Sequence, residues 1–493
     1  MTSFLKVSGA RIVDGNGQEV ILRGAGLGGW MTMENFISGY PGCEFQIREV
    51  LADVIGKEKS QLFFDKVGSR YISLPSIILV KSLGQFLENF FGEADAAFFK
   101  SLGLNCIRIA ISYRHFEDDL NPRVLKPEGF RHLDRVVAAC AKYGIYTILD
   151  MHTAPGGQNG GWHSDHGSHL SSFWKHRDFQ DRLVWLWTEI ARHYKDEKWV
   201  AGYNPMNEPA DPEHTGLTHF YDRVYAGIYS VDSNHILFLD GNTFASDFTG
   251  FPEDAGTRWP NAAYAIHDYS LYGFPKAPEP YVRAEEQRRR IHRSYQKKRE
   301  WIDQRGLCVW NGEWGPVYAR KEYDGDLTDE INERRYMVLN DQLEMYQQDR
   351  LSWSIWLYKD IGFQGMVYVP HETPYMKLFK DFLYKKYRLA VDAWGADDRF
   401  VRHVYQPIVD LIKKEVPDEA DQRLYPYPIW TLERRVEVLA RNILVSEFMV
   451  REWAEHFRGL SEADILGIAE SFKFENCMER DGLNKVLRAH APK

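Results

Sequence analysis

Short apolar runs alternate with amphipathic stretches along roughly the first 360 residues of the chain. Each run is interpreted as a buried strand, because a strand covered on both faces carries few polar positions. The stretches between the runs, such as 129–143 and 178–195, repeat apolar residues at helical spacing. Eight strand–helix units favour a closed barrel over an open sheet. The predicted strands are 21–27, 106–112, 146–152, 200–208, 235–241, 263–269, 308–314 and 353–359.

The pattern therefore predicts an α/β protein in which residues 1–390 form a (β/α)8 TIM barrel. Beyond residue 390 the sequence is charged, repeats apolar residues at helical spacing and shows no further strand pattern. We expect residues 391–493 to form a C-terminal helical extension that packs against the barrel. A separate partner-binding domain is the alternative for this region.

Residues 67–85 (VGSRYISLPSIILVKSLGQ) interrupt an otherwise smooth amphipathic pattern. One hypothesis is translated intron sequence from a fungal gene, since codons for Val67 and Gln85 match the boundary letters of an intron. The alternative is a genuine loop insertion, which a barrel tolerates well. Sequencing the messenger RNA distinguishes the two, because a spliced product would lack these codons.

The amino-acid composition limits the classes of ligand that the protein is expected to bind. Aromatic residues make up 14% of the 493-residue chain, and aromatic faces pack well against sugar rings, so this content favours a carbohydrate ligand. The formal net charge of -9 argues against nucleic acid as a partner, because phosphates require a basic surface. The expected partner is a carbohydrate or glycoside substrate, while the oligomeric state is not predicted.

The cysteines and the N-terminus indicate the compartment. The five cysteines are scattered without a CxxC pair, which argues against both a disulfide framework and a zinc site. The N-terminal residues lack the apolar region of a signal peptide, and no apolar run reaches the length of a membrane span. We therefore expect a cytoplasmic protein without a transmembrane segment.

Polar side chains stand at the ends of the predicted strands. In a (β/α)8 barrel the carboxyl ends of all strands meet at one face, and that face carries the active site. Titratable residues at the same end of successive strands therefore predict a catalytic centre. The residues at these ends are His152, Glu208, His267, Tyr269, Glu313 and Trp356.

Glu208 and Glu313 are the strongest candidates for catalysis. The sequence NEP at 207–209 follows the fourth predicted strand and GEW at 312–314 follows the seventh, and these strands lie across a barrel of eight. Cleaving a glycosidic bond with retention of configuration requires two carboxyl groups about 5 to 5.5 Å apart. One is protonated and donates to the leaving oxygen, whereas the other is ionised and attacks the anomeric carbon.

Three further residues are expected to assist the pair. Asn207 is placed to hydrogen-bond the 2-hydroxyl of the sugar. Tyr269 is expected to donate to Glu313, and Arg108 to add positive charge beneath that carboxylate. For Arg108 the alternative is membership of a structural ion pair inside the barrel.

His152 and His267 are expected to bind sugar hydroxyls, and Trp356 to form the floor under the sugar ring. Each of them taken alone also fits an ordinary core position. A loop with His163 and Asp165 raises the alternative of a metal-dependent hydrolase. It lacks a converging ligand set on strand ends, so we predict no metal site, and activity that survives EDTA would remove this option.

The motifs, taken in order, resemble those of glycoside hydrolase family 5. The resemblance covers residues 8–365, and the opening LRGAGLGGWMTMENF is similar to the fungal exo-β-1,3-glucanase branch. The other matching segments are GLNCIRIAIS, LDMHTAPGGQNG, NPMNEP, IHDY, NGEWG and SIWLYKD. The family implies a retaining double displacement with Glu208 as acid/base and Glu313 as nucleophile, and it implies neither a metal nor an organic cofactor.

The resemblance also implies the substrate-binding residues. Glu34 matches the position at which the exo-acting branch holds the terminal glucose, so we expect exo action on β-glucosides. Asn35 departs from the proline usual in that branch, and the loop at 162–165 has its own character. The other implied site residues are Arg108, His152, Asn207, His267, Tyr269 and Trp356.

Several functions stay open beside hydrolysis of glucan oligosaccharides or of glycosides with an apolar aglycone. One alternative is a diglycosidase that releases a disaccharide from flavonoid-type glycosides. Another is a hydrolase of glucosylceramide or steryl glucosides. A non-catalytic carbohydrate-binding barrel is the third, and the presence of both glutamates argues against it.

Overall fold

The predicted barrel is present in the computed structural model, which describes residues 3–64, 86–391, 398–416 and 432–492. Eight strands pair in parallel with their neighbours in chain order, and the eighth pairs with the first to close the barrel. The barrel strands are β1 (Arg23–Met31), β2 (Cys106–Ser112), β3 (Tyr146–Thr153), β4 (Val200–Asn204), β5 (Ile236–Asp240), β6 (Ala262–His267), β7 (Val309–Glu313) and β8 (Ser352–Ile355).

Three predicted strand ends are wrong by four residues, and the first strand, expected to end at residue 27, runs to Met31. The fourth strand was expected to run to Glu208 but ends at Asn204, because Pro205 has no N–H for a ladder bond. The eighth was expected to reach residue 359 but ends at Ile355, and Lys359–Asp360 forms a separate short strand. Residues 205–208 and 356–358 are therefore loop, which frees their side chains to turn over the mouth of the barrel.

Helices cover the outside of the barrel as their amphipathic patterns predict. Pro127–Lys142 carries proline in its first turn, where no intrahelical N–H bond is needed, and it buries Leu133, Val136 and Cys140. The helices of eight or more residues up to residue 391 are Glu44–Ile55, Lys57–Phe64, Glu93–Ser101, Pro127–Lys142, Arg177–Tyr194, Gly216–Tyr229, Glu285–Gln304, Thr328–Gln348 and Pro374–Arg388.

The two ends of the barrel differ in chemistry. At the amino end an apolar cluster that includes Leu22, Ile148, Phe238 and Trp310 fills the interior, beneath a short hairpin at residues 6–13. At the carboxyl end the inward-facing side chains are buried but charged or polar. The packed amino end holds the strands rigidly, so the polar end has fixed positions for its side chains.

The described part of the C-terminal region packs against the rest of the chain. Trp453 stacks on Phe379 with ring centroids 5.6 Å apart and packs edge-on against Tyr40 at 5.1 Å. The expectation of no further strand is wrong, because Met478–Glu479 pairs with Val367–Tyr368. Its helices of eight or more residues are Arg402–Glu415, Ser446–Glu455, Glu462–Glu470 and Asp481–Ala489, with a π-helix at Val438–Val445.

A buried lysine ties this region to the barrel. Lys359 is fully buried, and its ammonium group donates to Asp95 Oδ1 at 2.6 Å and to the carbonyl of Phe472 at 2.9 Å. One continuous core cluster includes side chains of both parts. The interface is therefore interior-like, and the extension is part of the same packed body.

Three sequence expectations concern other parts of the chain. The stretch 67–85 lies outside the described residues. All five cysteines are free, in agreement with the expected lack of disulfides. Every helix in the described ranges is too short or too polar to cross a membrane.

Candidate active site

Glu208 and Glu313 face each other across the carboxyl end of the barrel. Glu313 is the last residue of β7, and Glu208 lies in the loop after β4 with a φ of 46°. A positive φ at a residue other than glycine is uncommon and tends to occur at functional sites. One oxygen of each carboxyl group and one ring nitrogen of His267 lie within 4.8 Å of one another.

The Glu313 carboxylate is surrounded by donors. Arg108 donates to its Oε1 at 2.7 Å, and the Tyr269 hydroxyl donates to its Oε2 at 2.9 Å. Burial alone raises the pKa of Glu313, but the charges of His267, Arg108 and His152 outweigh it and lower the pKa to about 2. Glu313 is therefore ionised at neutral pH, as a carboxylate nucleophile must be.

Glu208 has a different set of neighbours. Its Oε1 lies 2.7 Å from Nδ1 of His267, and its Oε2 lies 3.6 Å from Nε2 of His163. The same His267 nitrogen lies 3.6 Å from Glu313, so one imidazole faces both carboxyl groups. Burial lowers the pKa of His267, and the surrounding carboxylates, Glu313 foremost, overcome this and raise it.

His163 is held as a neutral acceptor beside Glu208. The Asn159 amide nitrogen lies 2.5 Å from Nε2 of His163 and also donates to the Glu208 carbonyl at 2.7 Å, while the Asn159 carbonyl oxygen accepts from Gly161. These contacts fix the amide orientation, so Nε2 of His163 accepts a hydrogen bond. Burial lowers the pKa of His163, which keeps the ring uncharged.

Two fully buried aspartates, not singled out from the sequence, support the site. Asp150 Oδ1 lies 3.1 Å from Arg108, and its Oδ2 lies 2.7 Å from Nδ1 of His152. Asp240 accepts from the backbone N–H of Glu208 at 2.9 Å and fixes that loop. Burial, only partly offset by His267 and Arg108, raises the pKa of Asp240 to about 6. In the sequence, each of these two aspartates is marked only as a single carboxylate within an apolar strand.

Arg108 is the centre of this polar network. Its guanidinium donates to Asn207 at 2.6 Å and to Asn204 at 2.9 and 3.1 Å, besides its contacts with Glu313 and Asp150. Asn204, the last residue of β4, is a further residue that the sequence argument missed. The two explanations given above for Arg108 coincide, because the structural ion pair itself includes Glu313.

Glu34, His152 and Trp356 form one wall of the site. Nε2 of His152 lies 3.6 Å from Glu34 and 3.5 Å from the Asn207 amide. Burial lowers the pKa of His152, but the charge of Asp150 and its hydrogen bonds to Asp150 and Glu34 raise it to about 10. The Trp356 ring lies parallel to the imidazole of His152, with centroids 5.1 Å apart.

The glycines of β1 make room for this wall. A Cβ placed on Gly26 or Gly28 would lie 2.5 Å from the ring of Trp356. Only residues without a side chain therefore allow the indole to lie flat against the first strand. The glycine-rich motif of the opening strand thus has a physical reason.

All nine site residues predicted from the sequence lie in this one network. The predicted contacts of Tyr269 and Arg108 with Glu313 are present. His267 was expected to bind sugar hydroxyls, but its Nδ1 faces both catalytic candidates and its Nε2 lies 3.6 Å from Asp240. The catalytic and sugar-binding roles stay predictions.

Two groups of side chains have the proximity needed to hold a cation. They are Glu34 with His152 and His163, and Glu208 with His267 and Glu313. A histidine that binds a metal must have a neutral imidazole ring. Buried carboxylates raise the pKa of both His152 and His267. Their environment therefore favours the protonated imidazole, which does not bind a metal.

The extension contributes to the rim of this face. Val438 packs against Leu170 and Phe244, which lie in the loops after β3 and β5. Lys276, in the loop after β6, lies 3.6 Å from Asp398. The extension therefore contacts three of the loops that surround the catalytic carboxylates.

The fold and the paired glutamates define a barrel glycosidase, and a comparison with protein families agrees. The family model described as cellulase (glycosyl hydrolase family 5) matches residues 84–362. The chain belongs to glycoside hydrolase family 5.

Individual relatives add detail. A protein of Phanerodontia chrysosporium named beta-xylosidase is 69% identical over 489 residues, which cover 99% of this chain and 98% of that protein. A glucan 1,3-beta-glucosidase of Candida oleophila is 27% identical over 263 residues, 51% of this chain and 58% of that one. The crystal structure of an endogalactoceramidase has a TM-score of 0.50 at 18% identity, covers 73% of this chain and 75% of that one, and shows the shared fold.

Proposed function

We propose that this protein is a retaining exo-β-glycosidase. The proposal rests on one observation: two carboxyl groups lie close enough to act on the same anomeric carbon, and the charges around one differ from those around the other. Their nearest oxygens lie within 4.8 Å, which fits the separation of about 5 to 5.5 Å between carboxyl groups in retaining enzymes better than the 6.5 to 9.5 Å of inverting ones.

In the first step Glu313 attacks the anomeric carbon and the bond to the leaving oxygen breaks. Glu208 gives its proton to that oxygen, so that the leaving group departs as a neutral alcohol. Arg108 and Tyr269 hold the two oxygens of Glu313 in place, so the nucleophile is ionised and oriented before the sugar arrives.

In the second step water replaces the leaving group. Glu208, now a carboxylate, takes a proton from that water, and the water oxygen attacks the anomeric carbon of the glycosyl–Glu313 ester. The bond from that carbon to the Glu313 oxygen breaks, which regenerates the Glu313 carboxylate and the protonated Glu208. Asn207, which accepts from Arg108, presents its amide group to the 2-hydroxyl of the sugar, and this contact strengthens in the transition state.

Enclosure of the site supports exo action. Glu34, Glu208 and Glu313 are each at least nine-tenths buried, so the site accommodates the end of a chain better than its middle. The carboxylate of Glu34 and the cationic ring of His152 are placed to bind hydroxyls of a terminal sugar, and Trp356 offers an apolar face below it.

Two sugars compete for this position. The Glu34 motif favours β-glucose, as expected from the sequence, while the relative named beta-xylosidase, 69% identical over nearly the whole chain, favours β-xylose. The two sugars differ only in the hydroxymethyl group on C5 of glucose. The relative is the stronger argument, and we propose β-xylosides as substrates beside β-glucosides.

The experiment compares p-nitrophenyl β-xyloside with p-nitrophenyl β-glucoside and follows the released anomer by proton NMR. Release of the β-anomer supports retention, and the ratio of kcat/KM for the two glycosides identifies the preferred sugar. First release of the α-anomer would contradict the mechanism. Turnover restricted to p-nitrophenyl glycosides of a disaccharide would instead identify a diglycosidase.

A further inference from the structure

A cavity of about 380 Å³ lies beside the catalytic carboxylates and shares none of the nine predicted site residues. It is formed between segments 274–281, 317–324 and 331–335, with Phe363 and Arg399 at its edges. The first two segments follow β6 and β7, so the cavity opens on the active-site face of the barrel. Its size is within the range of small-molecule binding sites.

Two aromatic side chains connect the cavity to the candidate nucleophile Glu313. Phe274, in the cavity wall, packs edge-on against Tyr269 with ring centroids 5.9 Å apart. Tyr269 in turn donates to Glu313. The rings of Phe274 and Tyr269 therefore connect the cavity wall to Glu313, and a group attached to the sugar can reach the cavity past them.

The wall of the cavity is aromatic, with a cation stacked on it. The guanidinium of Arg320 lies 4.2 Å from the ring centroid of Tyr323 and 5.1 Å from that of Phe363. Tyr281 and Tyr318 add further ring surface. Flat faces of this kind favour a planar ring as ligand.

The charge of the wall is positive. Among the described residues neither Arg320 nor Arg335 has a salt-bridge partner, and Arg335, which is nine-tenths buried, donates to the carbonyl of Tyr272. Burial lowers the pKa of Arg335 to about 10, and the nearby Tyr318 and Asp324 offset this only in part. The wall also contains two acidic residues. Glu279 accepts from Tyr272 at 3.2 Å and lies 3.6 Å from Arg290, whereas Asp324 accepts from the backbone of Arg320 at 2.9 Å and attracts Arg335.

We propose that this cavity binds the leaving group of the substrate, and that this group is an aromatic ring carrying a carboxylate. The ring packs against the aromatic wall while the carboxylate pairs with Arg320 and Arg335, because a planar guanidinium suits a carboxylate. This inference rests on the proposed glycosidase function, whose sugar it leaves unchanged. It identifies the natural substrate as the glycoside of a phenolic acid.

The kinetic test uses two aryl glycosides of the preferred sugar, one of 4-hydroxybenzoate and one of its neutral methyl ester. We expect Arg320→Gln to lower kcat/KM for the acid about tenfold more than for the ester, and Arg320→Lys to restore part of the difference. Arg305→Gln is the matched control, because Arg305 stacks on Trp301 at 4.3 Å outside the cavity. Equal losses for acid and ester in Arg320→Gln would overturn the proposal.

A binding test separates this inference from the proposed function. Titration calorimetry with 4-hydroxybenzoate itself requires no turnover, and we expect binding that Arg320→Gln weakens about tenfold and that competes with the aryl glycosides. Binding that depends on Arg320 in a protein that cleaves no glycoside would refute the glycosidase and keep the ligand class. Turnover of both glycosides without any binding of 4-hydroxybenzoate would refute the cavity assignment alone.

Discussion

The surroundings of Glu313 and Glu208 differ although their carboxyl oxygens lie within 4.8 Å of each other. Glu313 accepts hydrogen bonds on both oxygens, one of them from the permanent cation Arg108. Glu208 faces two imidazoles instead, and the ring of His163 is kept neutral by burial. An arginine on one side only is thus the main difference in charge between the two carboxyl groups, and it favours Glu313 as the ionised partner of the proposed pair.

The difference in charge around Glu208 and Glu313 comes from side chains on the barrel strands and not from the glutamates themselves. Arg108 points inward from β2 because Asp150, Asn204 and Asn207 on the neighbouring strands and loop accept its remaining N–H groups. An unpaired guanidinium inside the barrel would be costly, so the whole set forms together. The lesson is that the difference in charge around the two carboxyl groups, on which their proposed roles depend, is set by the buried polar layer.

Removing the nucleophile has the largest expected effect. Glu313→Gln keeps the shape of the side chain but abolishes its charge, so kcat/KM falls about 10⁴-fold or more on any aryl glycoside. Steady-state hydrolysis of the p-nitrophenyl glycoside measures this loss. A variant that retains a tenth of wild-type activity while folded would contradict the role of Glu313.

Removing the acid/base has a smaller effect that depends on the leaving group. Glu208→Gln should lower kcat about 10² to 10⁴-fold for a poor leaving group such as an alkyl alcohol, because departure then needs a proton. For a dinitrophenyl glycoside, which leaves without protonation, the first step should be nearly unaffected. Burst and steady-state rates measured on both glycosides test this dependence on the leaving group. Equal losses of rate on the two substrates would contradict the role of Glu208 as the acid.

Much of the fold and of the candidate site could be predicted from the sequence. The order of eight apolar runs identified the barrel, and the polar residue at the end of each run identified the face on which they meet. Glu208 was expected on a strand, yet it lies in a loop where Pro205 ends the ladder. The local pattern gave the position of the residue but not its backbone conformation.

The parts that were missed depend on contacts between distant segments. Asp150 and Asp240 each look like an isolated carboxylate in an apolar strand, and their meaning comes from Arg108 and His267 on other strands. The cavity beside Tyr269 is assembled from two segments that follow β6 and β7 and from the helix Thr328–Gln348. Such sites have no signature in one stretch of sequence, because closure of the barrel creates them.

Tyr269→Phe removes one donor from Glu313 and leaves the arginine in place. Because one hydrogen bond to a charged group contributes about 1.5 to 3 kcal/mol, we expect kcat/KM to fall at least about tenfold. Glu313 remains ionised through Arg108, so the acid limb of the pH profile should barely move. A loss as large as that of Glu313→Gln would show that Tyr269 does more than orient the nucleophile.

The smallest expected effect is a shift of the pH profile in His152→Gln. In the wild type the pKa of Glu313 is about 2, so the acid limb of kcat/KM should lie below about pH 4. Folded Glu313 titrates below the value of about 4.3 for an unfolded chain, so its contribution to stability is present above that pH and lost as pH falls towards 2.

His152 acts in the opposite sense and supplies the test. Its pKa of about 10 keeps it cationic, so its stabilising contribution is complete below about pH 6.5 and is lost as pH rises through 10. Removing this cation in His152→Gln raises the pKa of Glu313, and the acid limb should move upward while the remaining charges of Arg108 and His267 limit the shift. Circular dichroism at each pH separates this titration from acid unfolding. An unmoved acid limb in the folded variant would mean that Arg108 and His267 alone set the ionisation of the nucleophile.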